Sequence, residues 1–345
     1  MKKIIFFFSF VNILLLSCGN DFDLVEEGPS IPIVYALLSN SDSVHYVRIN
    51  KSFNGNVPSY DMAFEPDSIL FQELLDVNLY VFDENNNVIK TITFEKQYMK
   101  KDSLNHNGIV AFAVKNHYVY VGKGEILMDL NYSYKLEIKK DGIPITWATT
   151  GSLGDFRWSL PLENMMVELR EDRPFATGWY AGKIAGIVKV FATIYYYEYN
   201  KTERMYFIRE IQDSTEIVNA SARGKGFFNL VDTLIKRIKE TDSKDVEWRY
   251  IARAKIEYCV WSRDYTDYLL YNNTKDDTNY EYTTVYIATN IVGGYGVFGT
   301  KMSQTVNPVY FTSLTHKYFY DNYSGLKFRS PIFYQYLPDS LPYTK

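Results

Sequence analysis

The sequence predicts a mainly β protein, with an immunoglobulin-like β-sandwich over residues 31–150 and a second β-rich domain over residues 151–345 that carries one or two short helices. Three observations support this prediction. The 345 residues include 31 Tyr and 22 Phe, which fit a half-buried pleated sheet better than a helix. Short segments of alternating apolar and polar residues are separated by turn signals. The chain is also longer than one hydrophobic core usually supports, which favours two domains.

The first 17 residues have the composition of a cleavable secretion signal. Two lysines precede an apolar run over residues 4–16, which suits a signal peptide but is shorter than the about 20 residues that span a bilayer. The run ends in Leu-Leu-Ser directly before Cys18, and this ending resembles a bacterial lipobox. We therefore expect residues 1–17 to be removed. The alternative is an ordinary secretion signal that precedes a chance cysteine.

The lipobox resemblance implies a lipid anchor on Cys18. It implies acyl chains such as palmitate on the sulfur and on the new amine, and two or more chains hold a protein stably in a bilayer. Residues 18–30 are then a tether, because they are acidic and because Gly28 and Pro29 interrupt regular structure. Acidic residues after the cysteine also resemble the surface-export signals of Bacteroidetes-type lipoproteins. The alternative is a plain solvated linker.

Cysteine content and charge narrow the possible roles. The second cysteine is Cys259, which has no intramolecular disulfide partner once Cys18 is acylated. We expect Cys259 to be inert, since the sequence shows no neighbouring base to activate its thiol. The formal net charge is −4. A net-negative chain argues against nucleic acid as a partner, because that affinity depends on Lys and Arg neutralising phosphates.

About seven short strands are predicted in the first domain, which is the number and spacing of an immunoglobulin-like sandwich. Two turns join four of them into hairpins. Asp141-Gly142 accepts the positive φ angles of a tight turn, and residues 83–87 are rich in turn-forming Asp and Asn. The expected strands are residues 33–38, 44–49, 77–82, 88–94, 109–121, 132–139 and 143–147.

The second domain is predicted to follow the glycine-containing segment 149–161 and to have longer strands. Residues 185–199 are rich in β-branched and aromatic side chains, which favour a strand. Residues 248–260 alternate apolar side chains with charged ones. This alternation predicts a long strand with one solvated face.

Helices are expected at two places in the second domain. Apolar side chains from Phe227 to Ile238 recur at spacings of three and four, which predicts an amphipathic helix near 226–240. Asp264 is followed three residues later by Asp267. This spacing resembles a capping arrangement and predicts a second helix near 264–272.

Two stretches resemble an uncharacterised family of Bacteroidetes envelope lipoproteins, a domain of unknown function often encoded beside TonB-dependent outer-membrane receptors. Residues 34–53 read VYALLSNSDSVHYVRINKSF, and residues 289–299 read TNIVGGYGVFG. With the lipobox, they bracket nearly the whole chain. The resemblance implies a cell-envelope lipoprotein that begins with a β-sandwich, and it brings no catalytic residues.

No catalytic, metal or cofactor site is predicted. The four histidines are scattered, and none has the His-x-x-x-His spacing of a metal site on a helix. The glycine cluster at residues 293–296 allows close approach of an anion, but it lacks the ending of a P-loop, so a tight turn or bulge is favoured. The oxygen-rich residues 83–87 lack the central glycine and closing glutamate of a calcium loop. A hairpin turn is therefore favoured there.

Aromatic richness is the one feature that favours a binding role. Tyr195, Tyr197 and Tyr199 recur at every second position, so they share one face of the predicted strand. If exposed, they are candidate ligand-binding residues that form a flat platform for sugar rings or for a partner protein. The alternative is cross-strand pairing within the sheet.

These inferences predict a non-enzymatic lipoprotein of the outer membrane, in its periplasmic or surface leaflet, that acts as a binding or assembly partner of an envelope complex. The family resemblance implies a TonB-dependent receptor as that partner. The competing hypothesis is a lipid-anchored glycan-binding or glycan-degrading protein. Paired acidic side chains beside an aromatic cleft would favour the second hypothesis.

Overall fold

The structure, a computed structural model, describes residues 30–52, 65–100, 116–218, 223–273 and 288–330. Within these ranges it contains sixteen strands and three helices of ten residues or more. The prediction of a mainly β protein is therefore confirmed, although the structure has three such helices where the sequence predicted one or two.

Seven strands form the N-terminal part of the described chain. A single helical turn, α1 (Pro66–Ile69), lies between the second strand and the third. The strands are β1 (Pro32–Ser39), β2 (Val44–Lys51), β3 (Asp76–Phe82), β4 (Val88–Lys100), β5 (Asn116–Lys123), β6 (Ser133–Lys140) and β7 (Ile143–Gly151).

These strands form the two layers of an immunoglobulin-like sandwich. Hydrogen bonds join them in the order β1-β2-β5-β4-β3-β6-β7. β4 takes part in both layers, because residues 95–100 pair with β5 and residues 88–94 pair with β3. One layer is therefore β1-β2-β5-β4 and the other is β3-β6-β7, which is the strand order of the immunoglobulin constant-type fold.

Alternating side chains explain why the two layers pack together. Val34 and Ile49 from one layer share a buried core with Leu79 and Leu136 from the other. The intervening side chains face outward, as the period of two requires. The alternation of apolar and polar residues that predicted the sandwich is therefore the alternation that forms its core.

Both predicted hairpin turns are confirmed. Asp141 and Gly142 have φ angles of 52° and 78°, as a tight turn between β6 and β7 requires. In the turn between β3 and β4, the Asp83 carboxylate accepts hydrogen bonds from the backbone N–H groups of Asn85 and Asn87, at 2.9 and 2.8 Å. The fifth strand is seen from Asn116 onward, and its predicted start at residue 109 lies outside the described residues.

Two strands from the C-terminal half extend the sandwich. β15 (Ile291–Val292) pairs with β7, while the first part of β16 (Tyr295–Phe311) runs parallel to β1. The predicted glycine cluster spans the connecting turn and the start of β16. A Cβ atom at Gly294 would lie 2.6 Å from the carbonyl oxygen of Pro32, and Gly296 has a φ of +106°. The interpretation of these glycines as a turn with close backbone approach is confirmed.

A long antiparallel sheet forms the rest of the described chain, in the order β12-β11-β14-β16. A smaller sheet has the order β13-β10-β8, and β9 runs parallel to the end of β16. The additional strands are β8 (Arg157–Leu160), β9 (Met166–Val167), β10 (Phe175–Tyr180), β11 (Ala185–Asn200), β12 (Met205–Val218), β13 (Gly224–Phe228) and β14 (Val246–Ser262). The helices are α2 (Leu230–Thr241), α3 (Arg263–Asn273) and α4 (Ser313–Asn322), the last followed by a short 3₁₀ helix (Ser324–Leu326).

One face of the long sheet packs against the small sheet and α2. Val190 and Ile256 from the long sheet, Trp179 from the small sheet and Leu234 from α2 all belong to one buried cluster. Tyr258 is fully buried in this cluster, with its ring edge-on to that of Trp179 at a centroid distance of 6.2 Å. This core is separate from the core of the sandwich.

α2 and α3 occur where the sequence predicts helices, whereas α4 was not predicted. One residue of the helical pattern was assigned wrongly. Phe227 belongs to β13, and its side chain is 61% exposed. Asp264 also differs from the prediction, because it lies within the first turn of α3 and accepts a hydrogen bond from the Thr150 hydroxyl at 3.0 Å. It therefore ties α3 to the end of the sandwich.

The predicted domain boundary near residue 150 stays a prediction. The two buried cores are distinct, but Ile291 and Phe298 pack in the core that is otherwise formed by residues 34–148. The later part of β16 pairs with β14 in the long sheet. One strand is therefore shared between the two cores.

Candidate functional site

The predicted tyrosine row lies on one face of β11, but it is not the open platform that was expected. Tyr197 is only 1% exposed, which corrects the expectation of an exposed side chain. Tyr199 lies directly opposite Trp248 and Tyr206. Its ring stacks on that of Trp248 at 5.6 Å and 15°, and lies 5.0 Å from that of Tyr206. Cross-strand pairing thus accounts for much of the row, and ligand binding by it stays a prediction.

Tyr195, the third member of the row, lies under a cationic side chain. The guanidinium carbon of Arg253 is 4.3 Å from the centroid of the Tyr195 ring. Arg253 is itself 4% exposed and donates to the Asn307 side chain. This contact is a buried cation–π interaction, of the kind that gains strength from low hydration.

A second aromatic surface, which the sequence did not single out, lies between the sandwich and α3. We call it the tyrosine groove. It has a volume of about 390 Å³. The principal side chains that line it are Tyr35, Leu37, Val44, Tyr46, Tyr265 and Tyr268, and Asp42 from the turn between β1 and β2 also lines it.

Two glycines bring α3 close enough to form this groove. A Cβ atom at Gly299 of β16 would lie 2.8 Å from the Cβ of Tyr265, and one at Gly186 of β11 would collide with the Thr266 hydroxyl. Thr266 is fully buried and donates to the carbonyl oxygen of Ser262 at 3.0 Å. Because the helix rests directly on the sheet, Tyr265 and Tyr268 face the outer side of the sandwich across a narrow gap.

Tyr35 and Tyr268 contact each other within the groove. Their rings meet edge to face at a centroid distance of 5.9 Å, a preferred geometry for aromatic pairs. Burial raises the pKa of the Tyr268 hydroxyl, and the neighbouring Tyr35 hydroxyl adds to the increase. Tyr268 therefore stays protonated at neutral pH.

Tyr46 and Asp42 form the open side of the groove. Tyr46 is 50% exposed and Asp42 is also exposed. His45 lies behind them, 1% exposed, with its Nε2 atom 2.8 Å from the carbonyl oxygen of Gly124. Burial lowers the pKa of His45, so the imidazole is neutral at pH 7. The groove thus offers aromatic faces, hydroxyl groups and one carboxylate, which together suit stacking and hydrogen bonding.

A buried ionic cluster is the second feature that the sequence did not reveal. Arg249 was grouped with the solvated face of its strand, but it is fully buried, so that assignment is corrected. Its guanidinium donates to Glu198 and Asp242, at 2.7 Å each, and to the carbonyl oxygen of Leu326 at 2.9 Å. Arg209 donates to the second carboxylate oxygen of Glu198 at 2.9 Å. The contact with Leu326 joins the segment after α4 to β14, and the contact with Glu198 joins β14 to β11.

A bulge explains why the sequence pattern misplaced Arg249. The pairing of β11 with β14 changes register between Tyr195 and Tyr196, so that Ala252 has no direct partner. A bulge inserts one residue and reverses the faces of the alternation. Arg249 and Arg253 therefore lie on opposite faces of the sheet, although both occupy odd positions.

Cys259 and His316, which the sequence analysis considered as candidate reactive or metal-binding residues, are both buried against neighbouring side chains. Cys259 is 4% exposed, and burial raises the pKa of its thiol. Its Sγ lies 3.6 Å from the Ser303 hydroxyl. His316 stacks on Tyr250 at a centroid distance of 4.6 Å, and burial lowers its pKa to about 4.

Other predictions fall on parts of the chain that are not described. Residues 1–29, which include the leader, Cys18 and most of the tether, lie outside the described residues, as does His106. Among the residues that the structure does describe, no group of His, Cys, Asp and Glu side chains is placed to hold a metal ion. Within the same ranges, no helix is both long enough and apolar enough to cross a bilayer.

No protein-family model matches the chain, and no curated protein matches it. Among solved structures, the chain is similar to the α chain of the chicken interferon gamma receptor, with 7% identity, coverage of 69% of this chain and 92% of the other, and a TM-score of 0.17. It is also similar to the C-terminal globular domain of an oligosaccharyltransferase from Pyrococcus abyssi, with 9% identity, coverage of 67% and 46%, and a TM-score of 0.21.

A third similar structure is the calcium-binding domain CBD12 of CALX1.1. Its identity is 9%, its TM-score is 0.16, and the match covers 81% of this chain and 99% of the other. Scores this low do not establish a shared fold. The description of the sandwich as immunoglobulin-like therefore rests on the strand order and core of this chain.

Proposed function

We propose that this chain is an envelope lipoprotein, anchored by lipid on Cys18, that acts as a non-enzymatic binding or assembly protein. The observation that supports a binding role is the tyrosine groove, where four tyrosines and a carboxylate line a cleft of about 390 Å³. Clefts of roughly 300–1,000 Å³ lined by aromatic residues and a few polar groups are typical binding sites. The location is supported by the lipobox resemblance at the end of the leader.

The preferred occupant of the tyrosine groove is a segment of a partner protein. Tyrosine is enriched in protein interfaces, since it offers a large rigid contact area and one hydrogen-bonding group. Tyr46 is the most accessible anchor, at 50% exposure. A TonB-dependent outer-membrane receptor is the partner that the family resemblance suggests.

A second candidate ligand is a glycan, and the composition of the groove favours it as well. Sugar rings stack on tyrosine faces, and a carboxylate such as that of Asp42 accepts hydrogen bonds from sugar hydroxyls. The same side chains thus serve either ligand. A binding experiment can separate the two.

The groove is tested by affinity capture of the native, detergent-extracted protein and of two variants. Tyr46→Ala removes an anchor of the groove, and we expect it to reduce the captured partner at least about tenfold, as loss of an interface anchor does. Tyr98→Ala is the matched control, because Tyr98 is 62% exposed on β4, outside the groove. Mass spectrometry of the captured proteins identifies the partner.

The outcomes of this capture distinguish the two candidates. Co-isolation of a receptor that is lost only in Tyr46→Ala supports the protein partner. Retention on a polysaccharide column that is lost only in Tyr46→Ala supports the glycan. If Tyr46→Ala and Tyr98→Ala capture the same amount of receptor and are retained equally on the polysaccharide column, a binding role for the groove is refuted.

The lipid anchor is tested separately by incorporation of radiolabelled palmitate in the native host. We expect label in the wild-type protein and none in Cys18→Ala, because the sulfur carries the acyl chains. Intact-mass measurement provides the control. A native protein that begins at Met1, or one without added acyl mass, contradicts the anchor.

A further inference from the structure

The outer face of the small sheet has an unusual combination of side chains. Trp179 of β10 points into the core, so its neighbours Gly178 and Tyr180 belong to the opposite face. Gly178 pairs with Leu160 and Lys225, and Tyr180 pairs with Arg157. Because directly paired residues share a face, the side chains of Leu160, Lys225, Tyr180 and Arg157 lie on the outer side of the sheet.

Three apolar side chains are exposed on this face. Phe227 is 61% exposed, and Leu160 and Tyr180 are each 43% exposed. The inner face, by contrast, buries Trp179 and Phe228 in the main core. The small sheet therefore has one face in the core and a second apolar face in solvent.

Cationic side chains surround these apolar ones. Arg157 and Lys225 are exposed, and none of the described carboxylates lies within ion-pair distance of either. The guanidinium of Arg223 lies over the Tyr180 ring at 5.1 Å. No acidic residue is present among the paired positions of this face, although the chain as a whole carries a net charge of −4.

We propose that this face of β8, β10 and β13 binds the surface of an anionic lipid bilayer. Cationic side chains are attracted to anionic headgroups, and aromatic and aliphatic side chains enter the boundary between headgroups and acyl chains. A sheet face is broad and shallow, which matches a bilayer surface. The proposal goes beyond the lipid anchor, because it specifies which side of the folded protein faces the membrane.

The tether length is compatible with this contact. Residues 18–30 extend to at most about 47 Å, at up to about 3.6 Å per residue. An acyl anchor on Cys18 would hold the folded part within that distance of the bilayer and so raise its local concentration there. Recognition of the headgroups by this face does not require the anchor.

The test uses the mature chain that the lipobox predicts, residues 18–345, with Cys18→Ser to remove the acyl anchor and an environment-sensitive fluorophore on Ala176→Cys. Ala176 is exposed and pairs with Phe227, whereas Cys259 is 4% exposed and is protected from labelling. We expect a blue shift with phosphatidylcholine vesicles that contain about a third phosphatidylglycerol, and none with phosphatidylcholine alone. A fluorophore on Asn85→Cys, in the exposed turn after β3, is the control and should not shift.

Charge variants test the recognition itself. Combining Arg157→Ser with Lys225→Ser should weaken vesicle binding at least about tenfold, given the attraction of each cation to an anionic surface. The double variant Lys123→Ser and Lys244→Ser is the matched control, since both lysines are exposed and lie elsewhere.

Three outcomes would overturn the proposal. The first is vesicle binding with no blue shift at position 176. The second is equal loss of binding in the two charge variants. The third is an equal blue shift with soluble polyphosphate, which would assign the face to a polyanion. All three are independent of acylation, so they leave the palmitate test of the anchor unaffected.

Discussion

At the scale of single residues, Arg249 is a charged side chain that stabilises the core, whereas most charged side chains lie at the surface. It is fully buried and reaches two carboxylates and a backbone carbonyl. A charge inside a protein is tolerated only when its partners replace the lost water. Arg249 therefore holds together β11, β14 and the segment after α4.

We predict that Arg249→Met lowers the free energy of unfolding by about 3–5 kcal/mol, because Glu198 and Asp242 lose their shared cation. Urea denaturation followed by circular dichroism measures this change. Arg209→Met is the control, since Arg209 touches the same Glu198 but its side chain is 51% exposed. We expect a loss of about 1 kcal/mol or less for the control, and similar losses in both variants would contradict this account.

The sequence did not predict the burial of Arg249, because burial in this strand depends on a bulge. Alternation places Arg249 and Arg253 on the same face of a regular strand, but the bulge at Ala252 separates them. A bulge is set by the partner strand, which local sequence does not show. Tyr195, Tyr197 and Tyr199 share a face as predicted, yet their exposure depends on side chains from β12 and β14.

At the scale of elements, local patterns predicted the sandwich strands well. The turns at residues 83–87 and 141–142 were found because Asp, Asn and Gly have specific conformational roles there. α4 was missed because its pattern is weak: the side chains buried in it are Thr315, His316 and Phe319. The tyrosine groove was missed because it joins β1 and β2 to α3, which are far apart in sequence.

We predict that Gly299→Ala displaces α3 and opens the tyrosine groove. The new methyl group would lie 2.8 Å from the Cβ of Tyr265, which is closer than packed side chains allow. Overpacking of this kind costs about 1–3 kcal/mol. Thermal unfolding measures the loss, and faster hydrogen exchange in α3 shows where it arises.

Gly325→Ala is the matched control for this prediction. A Cβ atom there would meet nothing within 4 Å, so we expect little change in stability and none in α3. Unchanged exchange in α3 of Gly299→Ala would show that the helix tolerates the added methyl group without moving.

At the scale of the whole molecule, β16 connects two separate cores. Residues 295–301 pair with β1 of the sandwich, and residues 301–310 pair with β14 of the long sheet. The hydroxyl of Thr300 donates to the carbonyl oxygen of Gly151 at 3.0 Å, and Thr150 donates to Asp264. Sequence alone predicted two units but not this shared strand, because pairing between β1 and β16 spans most of the chain.

We predict that Phe298→Ala destabilises both cores together. Phe298 is fully buried within the sandwich core, and truncation of a buried Phe costs about 3–5 kcal/mol. Because the same strand continues into the long sheet, opening of the sandwich should also release the pairing with β14. Hydrogen exchange should therefore accelerate to a similar extent in β2 and β11. Acceleration confined to the sandwich would show that the two units unfold independently and that β16 does not couple them.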